Sequence, residues 1–280
     1  MITIAIFGAG GKMGLRAVDK LNGETNGISN YEIQCVEVGA RGIALLAERG
    51  LPITSSAQAA SSADVLMLAV PDKLIGRIAA DVIPHMKPGA MIMLLDPAAA
   101  HAGDLPKRAD ISYFIAHPCH PPLINDEVGG ARRDFFGGIA KQHIVCALMQ
   151  GPERDYATGE AVARLIFGPV MNAYRVTVEQ MAILEPALVE TTIIALLAVI
   201  KESIDEAVKA GVPAEAAREF ALGHMNVAVG VLFGYSGGVF SDGAVLAIAD
   251  GKAMLLNPDW KRVFTPDSVM AQVKAITSAK

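Results

Sequence analysis

A glycine-rich turn near the start of the chain constrains the fold more than any other feature. Ile2–Phe7 is a short apolar run of the kind a buried parallel strand needs, and Gly8-Ala9-Gly10-Gly11-Lys12-Met13-Gly14 follows it directly. Leu15, Val18 and Leu21 then recur at helical spacing. A strand-to-helix turn offers a pyrophosphate helix-start N–H groups and the positive end of a helix dipole. Gly8 allows the tight turn, Gly10 or Gly11 lets the backbone approach the phosphates, and Gly14 lets helix and strand pack closely. The spacing is G-x-x-G-x-x-G through Gly8, Gly11 and Gly14, because Met13 holds the third position of the stricter G-x-G-x-x-G pattern. Gly8, Gly10, Gly11, Lys12, Met13 and Gly14 are therefore the expected dinucleotide contacts. A tight turn without a ligand is the alternative.

The second strand, Tyr31–Val38, carries Glu37 near its end, 23 residues beyond Gly14. Dinucleotide folds place an acid there to bond the ribose 2′-OH, and a carboxylate repels a 2′-phosphate, so NAD is expected over NADP. Arg41, just past the strand, is the group that could reverse this preference. Asp64–Pro71 reads as an apolar strand stopped by proline, Lys73–His85 as a helix and Ala90–Asp96 as a further strand. This alternation predicts an α/β domain with a doubly wound parallel sheet of Rossmann type. Ligands in such sheets lie beyond the carboxyl ends of the strands. Pro71 and Asp72 sit at one such end and are expected beside a ribose of the cofactor; Asp72 could instead serve only as a helix cap.

Strands are also expected at Ile111–Ala116, Ile144–Leu148 and Val170–Val176, after which no strand pattern survives. Thr177–Gly211, Pro213–Phe233 and Asp242–Leu256 read as helices. The chain is thus expected to divide into a dinucleotide-binding domain, 1–176, and an all-helical domain, 177–280. The formal charge of −5 and the lack of basic clusters argue against a nucleic-acid partner. Three cysteines without a C-x-x-C pair, and no evident leader before the first strand, fit a soluble cytoplasmic protein. The most apolar stretch, Ala182–Ile200, contains Glu185, Pro186 and Glu190, which disfavours a membrane span. Within it, Thr191–Ile200 is apolar on nearly every face, as in a helix buried between the subunits of a homodimer.

Two features could carry chemistry. In His117-Pro118-Cys119-His120-Pro121-Pro122, prolines stiffen the chain and favour extended geometry at the residues before them. Either imidazole could act as an acid–base group or a metal ligand. Glu185 lies in apolar surroundings next to Pro186, which removes a backbone donor and kinks the helix. A carboxylate there is costly to bury unless it is paired or metal-bound. An α-helical period puts Glu190 on a different face. Lys141 precedes a strand and is a weaker candidate, able to bind a substrate carboxylate. His224 could be a core histidine or could reach a cleft. The candidate catalytic set is therefore His117, His120, Glu185 and Lys141, with His117 and Glu185 as the candidate metal ligands.

The amino-terminal half, with Gly8–Gly14, Ala63-Asp64-Val65 to Pro71 and Lys87-Pro88-Gly89, resembles the β-hydroxyacid and 6-phosphogluconate dehydrogenase group. That group joins a dinucleotide domain to a helical domain often shared across a dimer. Its usual catalytic lysine on the first interdomain helix is missing here, and Glu185 occupies that region. Gly8–Gly14, His117–Pro122 and Val178-Glu179-Gln180-Met181-Ala182-Ile183-Leu184-Glu185-Pro186 together are more similar to the D-apionate oxidoisomerases. Gly138–Gln142 and Phe233–Ser236 extend that similarity over nearly the whole chain. The resemblance implies NAD-dependent oxidation of a branched sugar acid with coupled carboxylate migration. A divalent metal suits both steps, and histidine with carboxylate favours Zn²⁺ or Mn²⁺. A simple hydroxyacid dehydrogenase and an NAD-sensing protein are the rival classes.

Overall fold

A computed structural model of the chain describes residues 1–23 and 31–278. The chain separates into two compact units, Met1–Glu185 with Met270–Lys280, and Pro186–Val269. The sequence places its boundary at Val176, ahead of the helix that leads to Glu185.

In the first unit the elements run β1 (Ile2–Phe7), α1 (Lys12–Gly23), β2 (Tyr31–Val36), α2 (Ala40–Glu48), α3 (Ser56–Ser62), β3 (Val65–Leu68) and α4 (Asp72–Val82). They continue through β4 (Met91–Leu94), α5 (Ala98–Ala102), β5 (Ser112–Pro118), β6 (Gln142–Gln150), α6 (Glu153–Ile166), β7 (Val170–Arg175) and α7 (Val178–Ala182). The strands form one sheet in the order β2-β1-β3-β4-β5-β6-β7. β1 to β5 are parallel, as their strand–helix–strand order requires. The remainder departs from the all-parallel expectation: β6 returns antiparallel to β5, and β7 runs parallel to β6. A parallel return needs a crossover segment over the sheet. The polar stretch between β5 and β6 supplies no such crossover helix, so the chain turns back at the same edge. Between α2 and α3 the chain adds only a single parallel bridge to the sheet, Cys35 to Ile53.

β3 and β4 are buried along their whole length, and the two faces of the sheet carry separate cores. Ala5, Leu66, Ile92 and Ile115 lie on one face, and Ile4, Met67, Met93 and Phe114 on the other. Helix α1 packs by Ala17, Val18 and Leu21. α7 packs by Val178, Met181 and Ala182, and its start is fixed by a reciprocal capping box between Thr177 and Gln180.

Beyond α7 the backbone takes up a π-helical register over Ile183–Ile194, with Pro186 inside it. Proline has no N–H to donate, so the ordinary i→i−4 ladder cannot continue there. The α-helical period used to set Glu190 apart from Glu185 does not hold across such a segment. The second unit carries the rest of that segment, then α8 (Ala195–Lys209), α9 (Ala214–Leu232) and α10 (Asp242–Leu255). α11 (Pro266–Thr277), not foreseen from the sequence, closes the chain and buries Val269 and Val273. The continuous helical stretch Val178–Lys209 is, by length and composition, apolar enough to cross a membrane.

Candidate active site

The carboxyl ends of β1 to β5 share one edge of the sheet because these strands are parallel. That edge gathers Gly8, Glu37, Asp72, Asp96 and His117. At its β1–β2 side, Gly8 takes a left-handed φ of 77° and turns the chain into α1. A Cβ on Gly14 would fall on the Gly8 carbonyl oxygen, so the expected close helix–strand contact is present. Gly10 has a different reason from the expected approach to phosphate. A Cβ there would meet the backbone of Gly42, while its N–H donates to Glu37 Oε2 at 2.9 Å. Glu37 Oε1 accepts from Val38 N and Gly39 N, both at 2.8 Å. With Gly10 N–H engaged, the donors left for an anion are the first N–H groups of α1, at Lys12 and Met13. A cavity of about 450 Å³ opens here, lined by Gly10, Gly11, Lys12, Leu15, Glu37, Arg41, Gly42 and Leu45. Its glycine floor, helix start and carboxylate at the end of β2 fit a dinucleotide.

At the β3–β5 side a charged cluster forms. His117, on β5, has its Nδ1 2.7 Å from Leu95 O, so Nδ1–H donates and the tautomer is fixed. Its Nε2 lies 3.3 Å from Glu185 Oε2, with the two side chains only 19% and 22% exposed. Burial opposes the charge on His117, but the hydrogen bond and charge of Glu185 outweigh it and raise the imidazolium to about 9. Burial likewise opposes the charge on Glu185, yet its bond to His117 and the charges of His117 and His120 hold it below the usual carboxylate range. The structure thus joins the two residues that the sequence selected from segments 68 positions apart.

Pro71 caps α4 and is exposed, while Asp72 begins the helix and senses both His117 and Glu185. Burial raises the Asp72 carboxyl. Asp96 is the residue that the sequence reading did not single out. Burial, then the charge of Asp72, push its carboxyl up to about 6, although Ala98 N–H donates to its Oδ1 at 2.7 Å. The strand-end reasoning that selected Asp72 applies also to Asp96, which follows β4. Glu185 thus contacts the imidazole of His117, and the charges of Asp72 and Asp96 also act on it. Such surplus negative charge fits a bound cation, with His117 Nε2 and Glu185 as donors in place of their shared proton. Among the described residues no group of three His, Cys, Asp or Glu side chains is arranged to hold a metal. Substrate or water oxygens would have to complete the coordination.

His120 departs from the extended geometry expected of a residue before proline: its φ is 60°, a left-handed value uncommon outside glycine. The turn is held by Nδ1–H donating to Phe136 O at 3.2 Å. The rings of His117 and His120 stand edge to face, with centroids 6.4 Å apart. Lys141 is exposed, and its backbone N–H donates to Glu127 Oε1. Among the described residues no contact joins it to His117 or Glu185. His224 stacks on Phe220 within α9, with Nδ1–H donating to Phe220 O at 2.8 Å.

Fold and site together define a nicotinamide-dinucleotide oxidoreductase of Rossmann type. Residues 125–277 match the family model described as phosphogluconate dehydrogenase (decarboxylating), C-terminal. A D-apionate oxidoisomerase of Rhizobium rhizogenes is 50% identical over 280 residues, covering 99% of this chain and 100% of that one. Another D-apionate oxidoisomerase, from Cupriavidus necator, is 49% identical over 276 residues, covering 98% and 99%. A crystal structure of a semialdehyde dehydrogenase NAD-binding protein from Cupriavidus necator, in complex with calcium and NAD, is also similar. It superposes with a TM-score of 0.94 at 49% identity, covering 99% of this chain and 100% of that one. The chain belongs to the D-apionate oxidoisomerase family.

Proposed function

We propose that this protein oxidises a branched sugar acid at a CH–OH group with NAD and couples the oxidation to rearrangement of the carbon skeleton. The observation that carries this reading is the His117–Glu185 pair, set at the strand-end edge that also bears the dinucleotide loop. The names of its relatives and their near-complete coverage support it.

NAD supplies the acceptor for the hydride that leaves the alcohol carbon. His120, whose Nδ1 is engaged by Phe136 O, presents Nε2 as the ring nitrogen that would take the hydroxyl proton as that carbon becomes a ketone. With its ring nitrogens engaged by Leu95 O and Glu185, His117 contributes positive charge, not a proton, where negative charge develops on the substrate oxygen. Rearrangement needs a tertiary alcohol beside the ketone. A substituent of the carbinol carbon moves with its bonding pair to the ketone carbon. The carbinol O–H loses its proton to become the new carbonyl, and the former ketone oxygen gains one. This electron flow makes a carbinol substituent the migrating group, rather than the carboxylate already attached to the ketone carbon. A divalent cation held by His117 and Glu185, Zn²⁺ or Mn²⁺ by ligand type, would supply Lewis acidity at those oxygens.

Glu37 supports NAD over NADP. The exposed apolar run Ile193, Ile194, Leu196, Leu197, Val199 and Ile200 supports a homodimer built on the second unit. A membrane role for that stretch would carry the ion-paired Glu185 and the π-helical turn into lipid, so a subunit interface is the better reading. Free thiols at Cys35, Cys119 and Cys146 support a cytoplasmic location. The test is turnover of branched and linear aldonates with NAD, with products from carbon-labelled substrate followed by NMR. NADH formation with a rearranged skeleton is expected only for branched acids. Oxidation without rearrangement would return the chain to the simple dehydrogenases.

A further inference from the structure

Between the dinucleotide loop and the paired histidines lies a segment that neither role explains. Asp134 knits residues 134–140 into a closed turn: its Oδ1 accepts from Gly137 N at 2.9 Å, and its Oδ2 accepts from Ile139 N and Ala140 N at 2.8 and 3.0 Å. Two cations one helical turn apart on α1 fasten this turn. Arg16 donates to Phe136 O and Lys20 to Gly138 O, both at 3.0 Å. A third cation, Lys12, lies one turn nearer the glycine loop and places its ammonium 3.6 Å from the centroid of the Phe136 ring.

The same ring meets His120 edge to face, with centroids 6.0 Å apart and an interplanar angle of 88°. The Phe136 carbonyl also accepts the Nδ1–H bond that fixes the His120 tautomer. Yet Phe136 is 60% exposed, so core burial does not account for its placement. The aromatic side chain stands between one residue of the dinucleotide loop and the imidazole positioned for proton transfer.

We propose that Phe136 is a positioning residue that conveys occupation of the dinucleotide loop, through Lys12, to the orientation of His120. A ring quadrupole holds an exposed ammonium weakly, whereas a pyrophosphate at the start of α1 competes for it with full negative charge. When Lys12 turns to the phosphates, the Phe136 ring loses one of its two partners and resettles against His120. The carbonyl bond keeps Nδ1 protonated throughout. Binding of the cofactor thereby sets the base before substrate arrives.

This inference rests on the dinucleotide reading of the loop, and ADP-ribose separates the two. It carries the pyrophosphate but no nicotinamide, so it occupies the loop without reaching the histidines. The readout is the ring ¹H–¹⁵N spectrum of histidine-labelled protein, with His120 assigned through His120→Gln. Saturating ADP-ribose is expected to shift the His120 signals in the unmodified protein and in Phe136→Tyr, but not in Phe136→Leu. Phe136→Leu should lower kcat about tenfold while the KM for NAD changes less than about threefold, and Phe136→Tyr should restore turnover. An equal His120 shift in Phe136→Leu, or no shift in the unmodified protein with ADP-ribose bound, overturns the inference. If calorimetry shows that ADP-ribose does not bind, the dinucleotide reading itself falls, and this inference with it.

Discussion

The two units bury their apolar residues in opposite ways. In the first, β3 and β4 are wholly enclosed, and α1 and α6 each turn a buried stripe of small and branched residues to the sheet. In the second, α8 and α10 have no buried residue and α9 has only Ala217, although Leu197, Ile200, Leu222, Val245, Leu246 and Ile248 are exposed there. One unit closes its own core from a single chain. The other leaves surface of core composition open, the kind of surface that the proposed second copy would enclose. The difference teaches that stability and catalysis are separable here: the acid–imidazole pair belongs to the self-sufficient unit.

The sharpest way to break this comparison is to disable the pair. Glu185→Gln keeps the shape and removes the charge, so turnover should fall about 100- to 1,000-fold with NAD affinity within about threefold. His117→Ala should behave alike, and the double variant should be no worse than the more severe single one if the two act as a unit. A comparable loss of NAD binding, read by calorimetry, would mean that the two ends of the site are not separate.

The next test addresses the open surface. Ile200→Glu should halve the mass measured by light scattering and lower the melting temperature. A substitution on a surface that nothing covers would change stability by no more than about 0.5 kcal/mol. Leu66→Ala, in the closed core, should cost about 2–5 kcal/mol without altering the mass. If Ile200→Glu leaves mass and melting unchanged, the second unit is not an interface.

A smaller effect comes from pH. The His117 imidazolium is held at about 9, above its ordinary value, so its stabilising contribution is full below about pH 6.5 and is lost as the pH rises towards 9. In chelator-treated protein, the loss of thermal stability over that window should be steeper for the unmodified chain than for His117→Gln. Parallel curves would show that the pair contributes nothing to folding. Smallest of all, Glu37→Ala should narrow the preference for NAD over NADP by about tenfold. Tighter NADP binding by the unmodified protein would promote Arg41 instead.

Much of this was legible because long apolar runs and special residues leave clear marks. Gly8 and Gly14 announced the first turn, and a carboxylate beside Pro186 in an apolar helix announced its need for a partner. The antiparallel return of β6 left no such mark, since Ile144–Leu148 is equally apolar read in either direction. Only the connection reveals the direction, and Leu123–Gly138 already lacked the helical period a crossover requires. Helices α3 and α5 escaped because alanine and serine do not define a face. Asp96 escaped because its significance depends on Asp72, His117 and Glu185, which are distant in sequence and meet only once the strands align.

The antiparallel return has one more consequence. His117 pairs with Val145, Pro118 pairs with Ile144, and Cys119 N–H donates to His143 O at 2.9 Å, so residues 120–142 leave and rejoin the sheet at neighbouring points. Within an insert hung this way, residues 121–133 can be lengthened, trimmed or exchanged while every strand keeps its register and the 134–140 turn keeps its hold on α1, because closing a longer loop adds little entropic cost. Within this architecture, that stretch is where new substrate preferences can be tried without rebuilding the cofactor site.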